Sequence, residues 1–184
     1  MGKLIHLNQK TNRHGHWVSF ENDPHLTTVK KAIHERCLPC IEHLYRQLRE
    51  GRHELELSYA FDCWKVVVVL NSDEECLKVL ERYQEKFLPS RHIRGRFGSK
   101  DEGGTKAIVV NADTEQERDL LFSELEECVK ELHLDGTLLY SKACAYLYGE
   151  LLGDWREWMK VAPITHPDNV EKVIQRLKEL LEIS

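Results

Sequence analysis

Apolar positions recur along this chain in two rhythms, one of three to four residues and one of two. From Thr27 or Thr28 to Glu50, the residues Val29, Ile33, Cys37, Cys40, Leu44 and Leu48 follow the helical spacing. They predict the buried stripe of one helix, with Gly51 as its stop. Pro39 lacks a backbone donor and crowds the preceding turn, so the expectation is a kink, or two short helices meeting near Leu38. Glu54 to Ala60 alternates Leu55, Leu57 and Tyr59 with polar residues, the mark of a half-buried strand. Trp64 to Leu70 differs: Val66 to Val69 is β-branched throughout and reads as a central strand covered on both faces.

An internal repeat follows. Asn71-Ser72-Asp73-Glu74-Glu75 closes the first apolar run, and Asn111-Ala112-Asp113-Thr114-Glu115 closes a second, Ala107 to Val110. Ser72-x-x-Glu75 and Thr114-x-x-Glu117 each fit the capping box, in which hydroxyl and carboxylate satisfy free amides at a helix start. Each helix leads to another strand candidate, Arg91 to Gly98 and then Thr137 to about Tyr146. The resulting order, β-α-β-β-α-β, is that of a ferredoxin-like core. A doubly wound sheet is the alternative, but Gly98 to Thr105 reads as a hairpin loop and favours antiparallel pairing.

The expected fold is therefore α+β: one domain, 1–184, with an antiparallel four-stranded core at 63–146. An arm, kinked helix and strand (1–62) precede the core, and a helical segment (147–184) follows it. Arg91 to Gly98, with His92, Arg94 and Arg96 on one side, has the character of an edge strand. Near the C-terminus, Val170, Val173, Ile174, Leu177 and Leu181 form one helical stripe.

Composition narrows the class without naming a function. The chain has 184 residues, 41% hydrophobic and 31% charged, with a net charge of -5, which suits a folded core better than disorder. No apolar run approaches the roughly 20 residues of a membrane helix. The polar start, Met1 to His6, lacks a secretory pattern, so a soluble cytoplasmic protein is expected. The net charge argues against an extended nucleic-acid surface. Six cysteines do not make a disulfide framework here; Cys37, Cys40, Cys76 and Cys128 sit on apolar stripes and read as reduced core thiols.

Two constellations carry candidate chemistry. The hairpin 91–106 holds five of the 26 basic residues. Arg94 and Arg96 project to the same side, where guanidinium forks grip phosphate or carboxylate. Gly98, Gly103 and Gly104 leave amides approachable, as anion-binding nests require. With Lys100 and Lys106 they form the proposed ligand-binding set, and a charged edge that prevents sheet aggregation is the plain reading of the same residues. The other constellation is Cys37-Leu38-Pro39-Cys40 with His14, His16, His34 and His43, which is a weak metal site or thiol pair. Four ligands at three-residue steps on one helix diverge by about 60° per step, whereas a tetrahedral site needs them convergent.

No nucleophile–base–orienter set stands out. The sequence thus points to a small-ligand or anion-binding regulatory module rather than an enzyme. No cofactor is expected, and zinc at Cys37/Cys40 is the alternative. The surplus apolar stripes point to a homodimer.

Overall fold

The two predicted capping boxes are both formed, and they fix where the repeat helices start. Ser72 Oγ accepts the Glu75 amide at 3.1 Å while the Glu75 carboxylate accepts the Asn71 amide at 2.9 Å. Forty residues on, Thr114 Oγ1 accepts the Glu117 amide at 3.1 Å and Glu117 accepts the Asp113 amide at 2.6 Å. The structure, a computed structural model, describes residues 8–12, 15–21, 29–87, 93–99 and 103–182, the side chains of 8–12, 15, 21 and 29–37 apart.

In chain order the elements are β1 (Asn8–Asn12), β2 (Gly15–Glu21), α1 (Val29–Arg49), β3 (Glu54–Glu56), α2 (Tyr59–Asp62), β4 (Trp64–Leu70), α3 (Asp73–Phe87) and β5 (Arg94–Ser99). There follow β6 (Lys106–Ala112), α4 (Glu115–Glu131), β7 (Thr137–Lys142), α5 (Ala145–Leu152), β8 (Val161–Pro163) and α6 (Val170–Leu181). The fold is α+β. The chain divides into two units: β1 and β2 with Trp64–Tyr140, and Thr28–Cys63 with 141–184.

The first unit is built on a sheet ordered β1-β2-β5-β6-β4-β7. From β1 through β4 the neighbours are antiparallel, with Val66 opposite Val110, Val68 opposite Ile108, and Phe97 opposite both Ile108 and Val18. The sheet is larger than the four strands expected, because a β1–β2 hairpin joins it, and β5 is an inner strand, not an edge. Gly95 makes this possible, because Phe20 of β2 occupies the space its side chain would take.

The β4 strand is central, as its sequence implies, but its two faces differ. Trp64, Val66, Val68 and Leu70 are buried, whereas Lys65, Val67 and Val69 are only half-buried. The buried face packs with Cys76, Val79, Leu80 and Tyr83 of α3 and Leu121, Leu125, Cys128 and Val129 of α4, all buried. The buried Glu124 carboxylate is held there by the Tyr83 hydroxyl at 2.6 Å. At the other end of α4, the Arg118 guanidinium lies over Trp64 (4.1 Å) and Tyr140 (4.6 Å), clamping the helix to β4 and β7.

The second unit has its own core, formed by Leu44 and Leu48 of α1, Leu147, Tyr148 and Leu151 of α5, Val173 and Leu177 of α6, and the two-stranded β3–β8 sheet. α1 is a single helix running through Pro39, where two short helices were one expectation. It stops at Gly51, as the sequence indicates, with φ +70° and the Arg52 amide bonded back to the Gln47 carbonyl. The buried Gln47 side chain binds both backbone groups of Glu56 (2.7 and 3.0 Å), fixing β3 on α1. The predicted strand 54–60 ends at Glu56, since Ser58 (φ 49°) turns the chain into α2. The strand expected to reach Tyr146 ends at Lys142, where α5 takes over.

Candidate functional site

The basic hairpin is divided by the sheet it belongs to. Arg94 and Arg96 are two apart on β5 and share the face turned away from α3 and α4, since Gly95 and Phe97 between them are buried on the helix side. The Arg94 guanidinium bonds Asp113 at 2.5 Å. Arg96 is exposed, and its guanidinium lies 4.4 Å from the ring centroid of Trp17 on β2. Lys106 stands on the opposite, helix side of β6, where its ammonium donates to the buried Ser99 hydroxyl at 3.1 Å and sits 3.5 Å from Asp73. Lys100 lies outside the described residues.

The glycines separate in the same way. Gly98 is within β5, buried, opposite Trp17 on one side and Ala107 on the other. Its φ of +140° and the His16 carbonyl oxygen, 2.0 Å from where a Cβ would stand, show why glycine is needed there. That need is a close approach of strands; the backbone is enclosed by β2 and β6. Gly103, with φ +75° and nothing within 4 Å of its Cβ position, opens the turn, and Gly104 follows it half-buried. The structure therefore brings together Arg94, Arg96 and Trp17, with Asp113 at their rim, and places Lys106 elsewhere.

Trp17 and Asp113 belong to the site, and the sequence marks neither as a ligand residue. The alternation in Trp17-Val18-Ser19-Phe20 does signal a strand. No local pattern indicates that this strand pairs with one almost eighty residues away.

The cysteine–histidine constellation is dispersed in the described portion. Cys40 is buried in the core of the second unit, His43 is half-buried on α1, and His16 is exposed on β2 of the first unit. The Cys37 and His34 side chains, and all of His14, lie outside the described residues. Among the described residues no three His, Cys, Asp or Glu side chains are grouped to hold a metal ion. The described cysteines, Cys40, Cys63, Cys76, Cys128 and Cys144, are all free thiols. Burial pushes the Cys76 thiol up to about 12, with Asp73 and Glu75 adding to the effect. Cys128 is pushed up to about 11, again chiefly by burial. Neither supplies a thiolate near neutral pH.

A shallow cleft of about 280 Å³ lies between α3 and α4, lined by Arg82, Glu85, Lys86 and Glu131. Its charges are already matched. Lys86 bridges Glu127 and Glu131, and Arg82 bridges Glu85 and Glu131. These bonds raise the Lys86 ammonium above its usual range and lower Glu131 below its own.

The class that fold and site define is an α+β protein with a guanidinium–indole surface on one sheet face and, among its described residues, no helix long and apolar enough to cross a membrane. No protein-family model, curated protein or solved structure matches the chain.

Proposed function

We propose that this chain is a binding module for a small anionic ligand, built on a ferredoxin-like βαββαβ core that runs from β4 to β7. The contact surface is the β5 face bearing Arg94 and Arg96. The observation that carries the reading is Arg96: an exposed guanidinium laid on the Trp17 ring 4.4 Å away. The indole limits its rotation, so less freedom is lost when the planar fork binds a phosphate or carboxylate. Arg94 adds a second fork on the same face, oriented by Asp113. Regulation rather than catalysis is the reading we take, because the carboxylate beside these arginines, Asp113, is paired with Arg94, and the Ser99 hydroxyl accepts from Lys106 on the other sheet face. A cytoplasmic homodimer belongs to the same reading.

Thermal shift with inorganic phosphate, pyrophosphate, citrate and ATP tests it. A ligand at a hundred times its dissociation constant adds about 2.7 kcal/mol, which in a chain of this size raises the melting temperature by about 5–10 °C. Arg96→Ala should abolish the shift and leave the unliganded melt unchanged. No shift with any of these anions, or one that persists in Arg96→Ala, removes the proposal.

A further inference from the structure

Arg94 and Arg96 share one face of β5, but their guanidiniums are drawn to opposite sides of the strand. β5 lies between β2 and β6. Arg96 leans over Trp17 of β2, whereas Arg94 is bonded at 2.5 Å to Asp113, the first residue after β6. The two residues stand roughly 6.8 Å apart along the strand, and the divergence of their side chains adds to that span. A single small anion therefore meets one fork, whereas two linked anionic groups reach both.

Arg94 is also already paired. The Asp113 carboxylate neutralises it, and the pair is open to exchange with an ion from solvent, its side chains being 25% and 38% exposed. A carboxylate arriving at Arg94 trades one carboxylate for another and is repelled by the one it displaces, which screens out weakly charged ligands. A phosphoryl group, with a charge of about -1.5 to -2 and three acceptor oxygens, gains from the same exchange. Neutral donors for further oxygens stand on the same face. Ser19 is opposite Arg96 on β2, and Asn111 is two residues along β6 from Val109, which is opposite Arg96 on the other side.

We infer that the ligand of this surface is a diphosphate, with one phosphoryl group on Arg96 and the other displacing Asp113 from Arg94. The inference rests on the anion-binding reading and names its substrate class. Asp113 holds Arg94 in place in the unliganded protein and is the group the ligand replaces, so it sets how much charge a ligand must carry.

Titration calorimetry of the full chain with phosphate, pyrophosphate and ADP is the test. Pyrophosphate should bind about tenfold more tightly than phosphate, the worth of one charge-assisted hydrogen bond. Asp113→Asn removes the competing charge and keeps the backbone amide that Glu117 caps. It should tighten pyrophosphate binding by about tenfold again, and Asp113→Ser should act in the same direction. ADP carries the same diphosphate on a nucleoside: binding tighter than that of pyrophosphate assigns the group to a nucleotide, equal or weaker binding to the free ion, and either supports the class. Equal affinity for phosphate and pyrophosphate overturns the inference. So does pyrophosphate binding that is unchanged or weaker in both Asp113 variants, since Asp113 then only positions Arg94. In either case binding that is lost in Arg96→Ala leaves the anion-binding reading standing. No binding of any of the three anions overturns both.

Discussion

Replacing Gly95 by alanine tests whether the sheet really continues from the β5–β6 hairpin into β2. A Cβ at this position would stand 2.1 Å from the Val109 carbonyl oxygen and 2.7 Å from Phe20 Cζ, where ordinary contact begins at 3.4 Å. The oxygen is backbone and belongs to the neighbouring strand, so it cannot rotate away. Phe20, 1% exposed, has no free space either. Relief requires β5 to part from β6 by about 1 Å, which lengthens ladder hydrogen bonds beyond good geometry. Overpacking and a weakened ladder together should cost about 3 kcal/mol. For a chain of this length that lowers the melting temperature by about 6–12 °C. Gly149→Ala is the control: no atom lies within 4 Å of its Cβ position inside α5. It should stabilise by about 0.5–1 kcal/mol through the unfolded chain. The assay is thermal denaturation followed by circular dichroism on both variants. If Gly95→Ala melts with the wild type, Phe20 and Val109 are not where the sheet register puts them.

Three further perturbations test other parts of the fold. Thr114→Ala removes the hydroxyl that caps α4 and should cost about 1 kcal/mol in urea denaturation, whereas Thr114→Ser should cost little. Glu150 of α5 is held below its usual 4.5 by hydrogen bonds from Lys172 and then Arg176 of α6. Its contribution is thus fully present above the unfolded value and lost as pH falls through the lowered folded value. Glu150→Gln should be less stable than wild type at neutral pH, and in urea titrations the gap should narrow as the pH falls through the lowered folded value. Under iodoacetamide at mildly alkaline pH, half-exposed Cys63 should be alkylated in the folded protein while buried Cys76 and Cys128 react only on unfolding. Peptide mass spectrometry would read this directly, and equal labelling of Cys63 and Cys128 would contradict the packing of α4.

The parts of this fold legible in the sequence are those whose causes are local. Capping boxes at Ser72 and Thr114 need only four consecutive residues, and the stop at Gly51 needs a residue that tolerates positive φ. The valines of β4 mark an inner strand because β-branched side chains fit a pleated surface. What escaped is set by partners far along the chain. Arg94 and Arg96 read as an edge because alternation cannot reveal that β2 pairs with β5. For the same reason Gly98 reads as an open anion nest, although its missing side chain serves the approach of His16. Lys106 is grouped with the arginines in sequence yet lies on the opposite sheet face, since only the hairpin register decides which parity points where. The short β3 shows the converse, an alternating run cut off at Glu56 by the backbone turn at Ser58.

Anion recognition at the Arg96–Trp17 pair is most directly tested by nuclear magnetic resonance of the tryptophan indoles. The chain has four tryptophans, and their ring N–H signals report four separate places. Titrated with pyrophosphate, the Trp17 signal should move and saturate, while those of Trp155 and Trp158, in the second unit, stay in place. In Arg96→Ala the Trp17 signal should no longer respond. A Trp17 signal that stays fixed in the wild type, or that moves equally in Arg96→Ala, would contradict the account.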